Sequence, residues 1–221
     1  MPPGGIVARM GTDARTLTRP EAVGRARALN RLTIGWNVVE AFVALAAGVA
    51  AGSISLIGFG LDSTIEVSAA LVLAWRLRQE QRTGCTQPSD RRATRLIAVS
   101  FLLLAAYVGA QAVRDLAGRA DPEASAVGIA VTALSLAVMP VLARAKRRLA
   151  PVMGSRAVEA EAAQTNICAI LSGVVLAGLA ANALLGWWWA DPSAALVVAG
   201  IAAFEGRRAW RADALADTCC A

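Results

Sequence analysis

The chain has 221 residues, of which 57% are hydrophobic and only 17% charged, a balance that excludes an ordinary soluble domain. The formal net charge of +6 would point to nucleic acid in a soluble protein, but here the basic residues lie between apolar blocks, so topology accounts for them and no nucleic-acid partner is expected. Histidine is absent, so metal or proton chemistry must run on carboxylates, amides and thiols; the four cysteines (Cys85, Cys168, Cys219, Cys220) form no CxxC framework, which argues against a disulfide scaffold.

Residues 1–30 are basic and polar without a signal-like apolar core, and read as a cytosolic tail. Six apolar spans follow, each near the roughly 20 residues that a membrane helix needs. They cover about 32–49, 54–75, 96–113, 125–142, 158–185 and 193–210. The expected fold is therefore an all-α membrane protein: a six-helix transmembrane domain over 31–211, then a short cytosolic tail, 212–221. Gly48 and Gly52 have GxxxG spacing, but their place favours a helix end and turn. Asp191–Pro192 reads as a helix start, Asp as cap and Pro in the first turn.

Orientation follows from the basic residues. The N-terminal tail, the second-to-third connection, the fourth-to-fifth connection (Arg144, Lys146, Arg147, Arg148, Arg156) and the C-terminal end are all rich in Arg. The opposite side keeps Arg114 and Arg119 among Asp115, Asp121 and Glu123. Both termini are thus expected in the cytoplasm, with Trp187, Trp188 and Trp189 at the outer interface.

The second span carries Asp62 and Glu66 near its middle. A carboxylate at mid-depth costs roughly 2.5–3.5 kcal/mol on insertion scales, so it needs a partner or a function. Four residues apart, the two acids point the same way along one helix face. No Arg or Lys lies at their depth in the sequence. In the fifth span Gln164 and Cys168 repeat the spacing. If these two antiparallel helices pack, Cys168 meets the level of Asp62 and Gln164 that of Glu66. Two carboxylates, an amide oxygen and a sulfur can then form a four-ligand cage, which suits Zn²⁺ better than Mg²⁺ or Ca²⁺. Individually, a membrane Gln that hydrogen-bonds a neighbouring helix and a Cys that packs as a small hydrophobe are ordinary. A protonated acid pair with a structural role is the competing reading. Asn37 and Glu40 share one face of the first span and can line an access path, form a second shell or bond between helices. Glu161, one turn before Gln164, is either a cation-gathering group at the cytosolic mouth or a solvated helix end.

The stretch SISLIGFGLDSTIE (53–66) resembles the second helix of the cation diffusion facilitator family, and RAVEAEAAQTNIC (156–168) is similar to its fifth, where an A-D-x-x-H-x-x-x-D pattern completes a metal site. Asn37, Glu40, Gly48, Gly52 and Ser53 resemble its first helix. The resemblance runs from 30 to 211. It places Asp62 and Glu66 at the helix-two ligands, Gln164 where the family commonly has His, and Cys168 where it has Asp. It implies a homodimeric exporter in the plasma or inner membrane, not an enzyme, exchanging a divalent cation (Zn²⁺ favoured) for protons. No permanently bound cofactor is implied, and the chain would be a short member lacking the C-terminal cytoplasmic domain. The alternative is a membrane metal sensor or regulatory subunit that does not transport. An intramembrane aspartyl protease is disfavoured, since both acids sit on one helix and GFGLD is one residue too long for GxGD.

Overall fold

The computed structural model describes residues 18–83, 90–119, 122–153 and 156–211. The tail before Thr18, Cys85, Asp121, Cys219 and Cys220 lie outside the described residues. Six helices follow in order: α1 (Arg19–Ala51), α2 (Ile54–Thr83), α3 (Asp90–Gly118), α4 (Ala126–Met153), α5 (Arg156–Leu185) and α6 (Ala190–Arg211). No strand occurs among the described residues.

At one end the helices run well past the apolar spans. Much of the basic sequence expected as connecting loop is helix, because Arg, Lys, Ala and Leu are all strong helix formers. α1 starts at Arg19: Pro20 sits in its first turn, and Glu21 reaches back to accept the Thr18 N–H at 2.9 Å. Ala22 and Ala26 of this early segment pack on Leu149, Ala150 and Met153 of α4 and Val158 of α5. This end of the bundle has its own small core.

Close contacts set the packing. A Cβ on Gly48 would lie 2.9 Å from the Ile57 backbone nitrogen, and one on Gly178 would lie 2.7 Å from the Ala194 Cβ, so α1 approaches α2, and α5 approaches α6, over small residues. Gly52 closes α1 in the left-handed conformation (φ 66°) and its neighbour Ser53 opens α2, which gives the tight turn expected there. Consecutive helices antiparallel to one another leave both ends of the described chain at the same end of the bundle. Large apolar side chains such as Val39, Phe42, Leu103, Leu134, Leu184 and Phe204 face outward, as a lipid-facing surface requires.

Five helices are long and apolar enough to cross a membrane. α6 is the exception, because Asp191, Glu205 and three arginines leave only 192–204 free of charge. It lies along α3 and against α5 and α2. Asp191 corrects the sequence expectation. Rather than capping its own helix, its Oδ1 accepts the Ser53 hydroxyl at 2.6 Å and the Ser55 hydroxyl, and its Oδ2 accepts the Ser55 N–H at 3.3 Å. Ser53 in turn accepts the Leu56 N–H at 3.2 Å. A carboxylate of α6 thus serves the N-terminus of α2, where unpaired N–H groups and the positive end of the helix dipole favour an anion.

Candidate metal-ion site

Four helices turn a polar stripe inward while their apolar faces point out. On α1 the buried polar positions are Asn30, Thr33, Asn37 and Glu40; on α2 they are Asp62, Ser63 and Glu66. On α4 they are Thr132, Ser135 and Lys146, and on α5 Glu161, Thr165 and Ser172 with Cys168 between them. The three- and four-residue steps are those of a single helix face. Several of these groups satisfy themselves locally. Thr33, Ser63, Thr132, Thr165 and Ser172 each donate to the carbonyl four residues back, and Asn30 Nδ2 donates to the Ala70 carbonyl at 2.9 Å.

The centre is different. Both oxygens of Glu66 and of Glu40, both polar atoms of the Asn37 amide and the Ser135 hydroxyl are buried without a hydrogen bond. Folded proteins pair nearly all such groups, and each one left unmade costs about 1–3 kcal/mol. These unpaired groups converge. Cys168, Thr165 and Asn37 flank the Glu66 carboxylate. Asp62 shares its surroundings with Glu66 and Glu40, while Ser135, Ser63 and Trp36 border Glu40.

The α2–α5 packing that the sequence argument needed is present, and the helices are antiparallel. Leu56 and Leu179 both border Gly128 of α4, and farther along the same helices Cys168 and Thr165 both flank Glu66, with Asp62 also near Cys168. Gln164 is half-buried with its Nε2 unpaired, and its neighbour Thr165 borders Glu66. Among the described residues no three acid or thiol side chains stand close enough to hold an ion between them as they are.

Two further expectations need correction. Lys146, assigned by sequence to a basic loop, lies inside α4 and is 2% exposed. Its Nζ donates to Glu161 Oε1 at 2.8 Å and to Thr165 Oγ1 at 3.1 Å, and its charge reaches Glu66. Glu161 is buried in that pair rather than solvated. The acids thus have a lysine neighbour that hydropathy assigned to water. The available signal was the step of three and four through Thr132, Ser135, Met139, Leu142 and Lys146, which continues one face of α4 past the apolar span. The same step from Glu161 to Thr165 and Cys168 marks Thr165.

Residues 31–215 match the family model described as the cation efflux transmembrane domain. The chain is also 29% identical over 126 residues to transmembrane protein 163 of Xenopus laevis, a stretch that covers 57% of this chain and 44% of that protein. It spans less than half the length of that relative. With the family match running across five helices entirely and most of α1, and with the polar donors grouped inside the bundle, the chain belongs to the cation efflux family of multi-pass membrane transporters.

Proposed function

We propose that the chain exports a divalent cation, Zn²⁺ foremost, from the cytosol in exchange for protons. Asp62, Glu66, Cys168 and Gln164 are the cargo ligands, and Asn37 and Glu40 line the access path behind them. The observation that carries this reading is the group of buried, unpaired polar atoms on Glu66, Glu40 and Asn37 beside Cys168. Two buried carboxylates without a hydrogen bond, Glu66 and Glu40, beside the buried Asp62, require protons or a cation in the bundle interior. Cation binding needs the deprotonated forms, so it expels protons. Asp62 and Glu66 as carboxylates with a neutral Cys168 balance a divalent charge. The arginine distribution supports cytosolic termini, and a homodimer in the plasma or inner membrane is part of the same proposal.

A second reading has its own support. Among the described residues no three acid or thiol side chains are close enough to share an ion, which a membrane sensor that closes only around bound metal would also show. Purified protein in liposomes separates the two. Under an imposed pH gradient, Zn²⁺ enters the vesicles with wild-type protein, and Asp62→Ala abolishes the flux. Flux that persists in that variant removes Asp62 from the site. Zn²⁺ binding without flux establishes the sensor.

A further inference from the structure

Lys146 is a cation delivered by the chain itself into an acidic interior. It is 2% exposed, on α4, and faces α5 and α2. An ammonium has three N–H donors. One reaches Glu161 Oε1 at 2.8 Å and another Thr165 Oγ1 at 3.1 Å. The Thr165 hydroxyl proton is already engaged, since it donates to the Glu161 carbonyl at 3.0 Å, so Thr165 acts toward Lys146 as an acceptor. The third donor remains, and Glu66, on which the Lys146 charge acts, is a nearby carboxylate with neither oxygen hydrogen-bonded.

We infer that Lys146 is a tethered counter-ion that competes with the transported cation for Glu66 and thereby sets how tightly the site holds its cargo. Glu161 holds the ammonium on the α5 side and keeps it off Glu66. The inference rests on the cargo-site reading above. Two cations of like sign beside one carboxylate oppose each other strongly in a low-dielectric interior. The tethered charge therefore favours release, which an exporter needs as much as capture. Glu161 and Lys146 have opposite effects. Loss of Glu161 moves the ammonium toward Glu66 and weakens cargo binding, and loss of Lys146 strengthens it. A purely structural ion pair predicts something else: either single change damages folding, and neither alters cargo affinity in a sign-dependent way.

Titration calorimetry of the full-length protein in detergent with Zn²⁺ alone tests this, with a thermal melt of each variant. Glu161→Gln weakens Zn²⁺ binding by about tenfold. Lys146→Met made in the Glu161→Gln background removes both charges, leaves no lone buried ion and tightens binding by at least about tenfold relative to Glu161→Gln. Lys146→Arg, which keeps the charge, stays within about threefold of wild type. Equal affinities for Glu161→Gln and the double variant overturn the inference while leaving the cargo site intact. Wild-type protein that takes up no Zn²⁺ overturns the transport reading, and the counter-ion role falls with it.

Discussion

Replacing Asp191 with alanine should destabilise the bundle by about 3 kcal/mol, although the residue meets α2 at its N-terminus, about three turns from Glu66. Its carboxylate accepts the Ser53 hydroxyl at 2.6 Å, the Ser55 hydroxyl, and the Ser55 N–H at a longer 3.3 Å, and it is 1% exposed. Hydrogen bonds to a charged acceptor contribute about 1.5–3 kcal/mol each. The two short hydroxyl bonds thus bound the gross loss at about 3–6 kcal/mol, with little from the long backbone contact. Part returns, because freed serines rotate onto carbonyls of their own helix. Asp191→Asn keeps the accepting Oδ1 but loses the charge, and should cost about half as much. Unfolding in mixed micelles, followed by far-ultraviolet circular dichroism and by emission of the neighbouring Trp187 and Trp189, measures both. Those indoles stack at 5.2 Å and report on the α5–α6 connection directly. The serines provide the control: Ser53→Ala/Ser55→Ala should add little in the Asp191→Ala background, since residues in one network are not additive. An alanine variant within about 0.5 kcal/mol of wild type, the range of neutral surface changes, refutes the interhelical cap.

Glu66→Gln should abolish Zn²⁺ flux into proteoliposomes while the helical content measured by circular dichroism stays unchanged, because a neutral amide suits the same buried position without demanding a cation. Cys168→Ser should weaken Zn²⁺ and Cd²⁺ in parallel calorimetric titrations by more than it weakens Mn²⁺, since thiolate is the soft donor of the set; an equal loss for all three ions takes sulfur out of the ligand shell. Wild-type Zn²⁺ affinity should fall as pH is lowered, because protons and the cation compete for the same carboxylates; a flat titration between acidic and neutral pH contradicts the exchange mechanism. Gly178→Val should lower thermal stability by about 1–3 kcal/mol, because even its Cβ would lie 2.7 Å from the Ala194 Cβ and 3.2 Å from the Ala190 carbonyl oxygen.

The polar interior shows where a one-dimensional reading of a membrane chain runs out. Hydropathy assigns each residue to lipid or to water by its neighbours in sequence, so Lys146, flanked by Arg144, Arg147 and Arg148, reads as a loop cation. The helix carries it inward all the same, because every third or fourth residue of α4 shares a face regardless of where the apolar span stops. Glu161 lies in the fifth span, where sequence leaves it between a cation-gathering group and a solvated helix end; the face it shares with Thr165 and Cys168 buries it against Lys146. Asp191 followed a different rule. Its local sequence is that of a cap, yet the donors nearest in space belong to α2, and proximity between α6 and α2 is a property of the packed bundle.

The amino-acid sequence by itself determined the helical class, helices long and apolar enough to cross a bilayer at five of its six spans, the small-residue turn between α1 and α2, and the acid pair of Asp62 and Glu66. Lipid leaves the backbone no alternative to internal hydrogen bonding, and a minimum length and low charge are readable one residue at a time. Only the tertiary structure decided that Cys168 stands beside Glu66, that Thr165 joins them, and that Lys146 and Asp191 serve helices other than their own. Those outcomes depend on helix offset and on which faces meet. Close contacts such as Gly128 against Leu56 and Leu179 impose that offset, and no spacing within a single helix encodes it.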